Sequence, residues 1–188
     1  GEEVAKYYSE KGWQVYATCS SEEKKEYLTA LGLDVEVVNF DSDVSISEFP
    51  ITFDNVLNSI PASSRNSVEE ISRRFKNVSN YLQTIKFNKQ IYLSSIGIYP
   101  DQDGLFTEDY KNDLNERLLV AEQRVELLNS HIYRLGGLFG KNRIFAKYFA
   151  NRNCTTGDQP ANFIHVDDVV ALIIKGFDSD FLHPIYNL

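Results

Sequence analysis

Strand-like runs and helical stripes follow one another along nearly the whole chain, and that alternation limits the possible folds more than any other feature. Val4–Lys11 reads as an amphipathic helix stopped by Gly12, a residue that tolerates positive φ. Trp13–Thr18 alternates as a strand, and Ser21 is placed to cap a helix over Glu22–Leu31 that ends at Gly32. Val35–Val38 is strand-like, Asn39–Glu48 reads as an acidic loop, and Phe53–Ile60 is an apolar strand halted by Pro61. Ser67–Ile85 puts Val68, Ile71, Phe75, Val78 and Leu82 on one helical stripe. Gln90–Leu93 and His131–Leu135 read as strands on either side of a helix over Leu114–Asn129. Val166–Phe177 is the last helix, and Pro184–Asn187 opens a further extended piece. Such alternation predicts βαβ units, an α/β class and a mainly parallel sheet within one domain spanning 1–188.

Composition narrows the function classes. With 43% hydrophobic and 24% charged residues the chain is globular rather than disordered. Its net charge of −8 argues against a nucleic-acid footprint, and the pairs Lys24, Lys25 and Arg73, Arg74 sit among acids. Cys19 and Cys154 are far apart, and there are only three His, so no metal site is expected. No run of roughly 20 apolar residues suggests a membrane span. A cytoplasmic location is the expectation. The opening, helix-like with no strand ahead of it, and the absence of any Met lead to the expectation that residues are missing from the chain as given.

Four motifs then occur in order: Ile91-Tyr92-Leu93-Ser94-Ser95-Ile96-Gly97-Ile98-Tyr99, Ala121-Glu122 on a helix, Tyr133-Arg134-Leu135-Gly136-Gly137-Leu138-Phe139-Gly140, and Asn162-Phe163-Ile164-His165-Val166-Asp167-Asp168-Val169. On these the chain resembles an atypical extended short-chain dehydrogenase/reductase of the NAD(P)-dependent epimerase/dehydratase superfamily. The resemblance implies a doubly wound Rossmann sheet with a small substrate-side region over about 140–188. It makes Gly1 the last glycine of a G-x-G-x-x-G loop, where backbone N–H groups and a helix N-terminus hold a pyrophosphate. Thr18, Ser20 and Ser21 then lie where the adenosine ribose is read. The absence of an acid there points to NADP over NAD, although Ser21 also suits a plain N-cap and the family's arginine is missing. Ser59, Ile60, Pro61, Ser94 and Gly137 would line the cofactor. For Pro61 and its neighbours a simple strand exit, and for Gly137 backbone turning, are the competing readings. Arg143, Asn162 and His165 would face a small-molecule substrate, a sugar nucleotide by analogy, with His165 equally readable as a structural residue at a helix start. A homodimer through the two long helices is the family's usual assembly.

Ser95, four residues before Tyr99, matches the Ser/Thr that hydrogen-bonds the reacting substrate oxygen. Its usual partners are a tyrosine and, four residues on, a lysine that lowers the phenol pKa for proton exchange during hydride transfer. Alignment on Ala121-Glu122 puts Leu114 and Leu118 at those positions, and Tyr110 is followed four residues on by Leu114. The pair is absent. Two readings follow: an epimerase, dehydratase or reductase in which another group, such as Tyr99, handles the proton, or a non-catalytic NADP-binding regulator or subunit. The surroundings of the Ser95 hydroxyl separate them.

Overall fold

The computed structural model describes residues 1–42, 52–63, 65–144, 147, 150, 153 and 161–188. Cys154 and most of the acidic loop expected over 39–48 lie outside them. The elements run α1 (Glu2–Glu10), β1 (Tyr16–Cys19), α2 (Glu22–Thr29), β2 (Asp34–Val37), β3 (Thr52–Asn58), α3 (Val68–Leu82) and β4 (Lys86–Ser95). After a 3₁₀ turn at Ile96–Ile98 come α4 (Glu116–Glu126), β5 (His131–Leu135), β6 (Gly137–Phe139), β7 (Phe163–His165), α5 (Val166–Asp178) and β8 (Ile185–Asn187).

Helix starts follow local chemistry. Ser67 and Glu70 form a reciprocal capping box at α3, the hydroxyl accepting from the Glu70 N–H at 3.2 Å and the carboxylate from the Ser67 N–H at 2.7 Å. Asn115 caps α4 through the Arg117 N–H at 3.1 Å, so that helix begins at Glu116 rather than at Leu114. β4 runs longer than the Gln90–Leu93 expected. Lys86 and Asn88 are exposed on its first half, and their polarity hides the strand from an apolar pattern.

Every strand pairing described is parallel. β3, β4, β5 and β8 form one four-stranded sheet, β1 and β2 a separate pair, and β6 and β7 another. Alternation along the strands loads both faces of the four-stranded sheet. Ile91, Tyr133 and Leu135 pack with Val4 of α1 and with Val169, Ile173 and Phe177 of α5. Tyr92 and Ile132 point the other way, onto Ile71 and Phe75 of α3 and Ala121 and Val125 of α4. The sheet is doubly wound. Ile71 and Phe75 are wholly buried, each worth roughly 1.5–3 kcal/mol of transfer free energy. Because all strands run the same way, their carboxyl ends gather along one edge, where open α/β sheets bind ligands.

Candidate functional site

A groove of about 920 Å³ opens between β1 and β3. Its mouth lies at the carboxyl ends of these strands and is lined by Gly1, Thr18, Ser20, Ser59, Ile60 and Pro61, six of the nine residues expected around a cofactor. Gly1 precedes α1 and lies against Ser59; a Cβ there would stand 2.9 Å from the Ser59 hydroxyl oxygen. The turn after β3 is held locally. Asn58 Oδ1 accepts from the Ile60 N–H at 3.1 Å, and Arg74 donates to the Pro61 carbonyl at 2.9 Å while gripping Asp41 at 2.7 and 2.8 Å. Asn58 is buried, and its Nδ2 has no hydrogen-bond partner. A buried donor left unpaired costs about 1–3 kcal/mol, so this amide is a candidate ligand contact that the sequence did not single out.

Ser21 serves as the N-cap of α2, its hydroxyl accepting from the Lys24 N–H at 3.3 Å, while Ser20 stays exposed at the groove mouth. Lys24 is committed elsewhere: its ammonium pairs with Glu2 at 2.8 Å and lies 4.2 Å from the Tyr27 ring centroid. Tyr27 donates to the same carboxylate at 2.8 Å, and Lys6 pairs with it at 2.8 Å. Hydrogen bonds from Lys24 and Lys6 hold the Glu2 carboxyl down at about 2, against an ordinary 4.5. A depressed carboxyl pKa stabilises the fold above the unfolded value and loses that contribution as pH falls through the folded one. Glu2→Gln should therefore melt lower than the parent at pH 7, with the difference shrinking below pH 4.5 and gone near pH 2. A pH series of melting curves for the two proteins reads this directly.

The remaining candidates fall into other clusters. Ser94 is turned from the groove mouth into a buried ion pair, its hydroxyl donating to Glu122 Oε1 at 2.5 Å. Arg134 holds both oxygens of that carboxylate, with Nη2 at 2.7 Å from Oε2, and the two side chains are 3% and 4% exposed. The free arm of Arg134 donates to the Tyr99 hydroxyl at 2.8 Å. Tyr99 in turn reaches Asn187 Oδ1 at 2.8 Å and the Thr107 carbonyl at 3.1 Å, and its ring stacks on Phe106. Ser95 caps the 3₁₀ turn, accepting from the Gly97 N–H at 3.1 Å. Leu118 lies beside it: a Cβ on Gly97 would sit 3.3 Å from the Ser95 oxygen and 3.9 Å from Leu118 Cδ1.

Gly137 pairs with Phe163 across β6 and β7, and the Phe163 ring occupies the place of a Cβ, at 2.5 Å. The Asn162 carbonyl accepts from the Gly137 N–H at 2.8 Å. Arg143 closes a turn through two backbone bonds with Gly140, and its side chain is exposed. His165 caps α5, its Nδ1 accepting from the Asp167 N–H at 3.1 Å, which leaves the neutral ring's proton on Nε2. Lys141 pairs with Asp167 at 3.1 Å and also with Glu3, tying α5 to the start of α1. Among the described residues no cluster of His, Cys, Asp and Glu is placed to hold a metal ion, and no helix is long and apolar enough to cross a membrane.

No protein-family profile matches the chain. Among curated proteins, Protein YeeZ of Escherichia coli K12 is 22% identical over 209 aligned positions that take in 100% of this chain and 73% of YeeZ. Among solved structures, a conserved protein of unknown function from Silicibacter pomeroyi superposes with a TM-score of 0.71 at 17% identity, covering 100% of this chain and 67% of that one. The ADP-L-glycero-D-manno-heptose-6-epimerase of Helicobacter pylori gives 0.68 at 15%, over 100% and 72%. These superpositions extend over the whole chain. Its fold, a mainly parallel α/β sheet with helices on both faces, is the one these structures share.

At α4 the departure from the expected tyrosine–lysine spacing is sharper than the sequence suggests. Leu118 is on α4, but Leu114 precedes the Asn115 cap and is outside the helix. The two positions therefore do not form an i, i+4 pair on one helical face. Among the described residues no tyrosine or lysine is hydrogen-bonded to the Ser95 hydroxyl.

Proposed function

We propose that this protein binds a nicotinamide dinucleotide at the carboxyl ends of β1 and β3 as a non-catalytic NAD(P)-binding protein. The observation that carries this reading is the Ser95 hydroxyl, which accepts from the N–H of its own turn beside Leu118. A general acid or base in this role contributes about 10²–10⁴-fold in rate, and neither Leu114 nor Leu118 can supply one.

The residues fit the cofactor. The bare Gly1 backbone at the start of α1 suits a phosphate, the unpaired Asn58 amide can donate into the groove, and Ser20 is exposed where the adenosine ribose would lie. When bound, a nicotinamide ring supplies hydride donation or acceptance. NADP is favoured over NAD because no acid stands at the end of β1, where Cys19 and Ser20 lie. With Lys24 held by Glu2, the preference should be modest, less than about tenfold, or ~1.4 kcal/mol. Titration with NADPH and NADH, followed by nicotinamide fluorescence or heat, tests the reading. Binding of at least one is expected, and a folded protein that binds neither overturns it.

A second reading is favoured by one contact, the Arg134 guanidinium on the Tyr99 hydroxyl. A guanidinium donor on that oxygen takes the place of the missing lysine as hydrogen-bond partner of a proton-exchanging phenol, and the protein would then be a reductase or epimerase acting on a sugar nucleotide. Consumption of NADPH or NADH in the presence of sugar nucleotides, lost in Tyr99→Phe, would favour it over the non-catalytic reading.

A further inference from the structure

Charge at the groove mouth is arranged around one carboxylate. Of the adjacent lysines Lys24 and Lys25, only Lys24 lines the groove, and Glu2, Thr18 and Ser20 share that lining with it. Glu2 is the first residue of α1, and Lys24 stands in the first turn of α2. The bond between them, 2.8 Å from the ammonium to Oε2, ties the two helix starts together. The other carboxylate oxygen accepts from the Tyr27 hydroxyl and from Lys6, each at 2.8 Å. Among the described residues Lys24 has no second carboxylate within ion-pair distance, and its ammonium otherwise lies over the Tyr27 ring. The two partners are therefore unequal. Glu2 without Lys24 keeps Lys6 and Tyr27, whereas Lys24 without Glu2 is an unpaired cation on the groove rim. Lys24 is 45% exposed and Glu2 31%, and ion pairs open to solvent in this way are weak. A phosphate monoester, with nearly two negative charges and three acceptor oxygens, is the stronger partner for an ammonium.

We propose that Glu2 is the residue that sets the choice between 2′-phosphorylated and plain adenosine ligands, by competing with the 2′-phosphate for the Lys24 ammonium. The inference rests on the dinucleotide reading and assigns one contact within it. The end of β1 is where the 2′ position of an adenosine ribose is read, and the residues there are Ser20 and, one turn on, Lys24. A 2′-phosphate draws Lys24 off Oε2 of Glu2, a movement its flexible four-carbon stem allows. Glu2 stays in place, because Lys6 and Tyr27 still hold its other oxygen. A 2′-hydroxyl carries no charge to attract the ammonium, and Lys24 then remains on Glu2. The exchange of one anion for another at Lys24 offsets part of what the phosphate contact contributes. Preference for the 2′-phosphorylated ligand is thus smaller than Lys24 alone would give, and Glu2 is what makes it smaller.

Calorimetric titration with adenosine 2′,5′-bisphosphate and with 5′-AMP isolates this contact, since the two ligands differ only in the 2′-phosphate. In Glu2→Gln the affinity for the bisphosphate should rise about fivefold to tenfold, while that for 5′-AMP stays within about twofold of the parent. In Lys24→Met the bisphosphate should bind no better than 5′-AMP, and adding Glu2→Gln to that variant should bring no gain. Equal gains for both ligands in Glu2→Gln would place the action of Glu2 at the 5′-phosphate and overturn the proposal. So would undiminished bisphosphate affinity in Lys24→Met, a variant that leaves Glu2 with Lys6 and Tyr27 and does not depend on Glu2→Gln staying folded. NADPH and NADH titrated into the same samples separate this proposal from the one it rests on. Fragments that respond as stated in a protein that binds neither dinucleotide would sink the dinucleotide reading alone. Dinucleotides that bind with a ratio indifferent to both substitutions would sink the role of Glu2 alone, and a folded parent that binds none of the four ligands overturns both.

Discussion

Replacing Glu122 with alanine should destabilise the protein by about 3–5 kcal/mol, the usual cost of breaking a buried ion pair by removing one partner. The carboxylate receives Ser94 and both Nε and Nη2 of Arg134, and the guanidinium is 3% exposed. Without Glu122 the charge of Arg134 remains in the protein interior with the Tyr99 hydroxyl as its remaining contact. For a chain of this size the loss corresponds to a melting temperature lower by about 6–20 °C. The apolar double replacement Glu122→Leu with Arg134→Met should cost much less than either single truncation, since it removes the stranded charge and the desolvation penalty together. Urea unfolding of the two single variants and the double variant measures this coupling. Strictly additive losses would show that the pair is not the unit described.

Gly140→Ala should cost about 2–6 kcal/mol, a large effect for one added methyl group. Gly140 has φ +97°, which L side chains rarely adopt, and a Cβ there would fall 2.0 Å from His165 Nε2. Holding an alanine in such a region costs about 1–3 kcal/mol, and forcing a group into a filled space typically about 1–3 more. The imidazole cannot retreat cheaply. Its Nδ1 caps α5 at Asp167, and its ring lies edge to face against Phe139 at 5.1 Å. In a His165→Ala background the steric part disappears, so Gly140→Ala should there cost only the backbone strain. A double-mutant cycle in urea separates the two. The same arrangement sets His165, readable in the sequence as a substrate contact or as a structural residue, at the N-cap of α5.

The fold was legible because its code is local. The stripe on Ser67–Ile85 and the apolar runs at Ile91–Leu93 and Ile132–Leu135 report which faces are buried, and the cap at Ser21 marks a helix start. What escaped was of two kinds. The first half of β4 and the short β6–β7 pair are held by pairing with distant segments, and their own side chains show too little apolar pattern to announce a strand. The functional candidates were legible as positions but not as partnerships. Ser94 and Tyr99 lie one and four residues from Ser95 in sequence, yet Glu122, Arg134 and Asn187 claim their hydroxyls from other elements. Lys24 stands one turn after Ser20 and Ser21 in sequence, yet Glu2, twenty-two residues away, holds its ammonium. Asn58 had no motif to mark it, because an unpaired buried amide is a property of packing alone. The missing tyrosine–lysine pair was readable at once, since the absence of a side chain depends on no geometry.

The contacts of Tyr99 bear on the order in which the chain organises itself. Its hydroxyl meets the Thr107 carbonyl from the following loop and Asn187 from β8, while the Asn187 N–H is bonded to Glu108 of that same loop at 2.7 Å. The loop between the 3₁₀ turn and α4 is thus anchored by a strand about eighty residues further along. Loop-closure entropy must be met before such distant contacts form. That loop therefore settles only once β8 has docked, later than its own place in the chain would suggest.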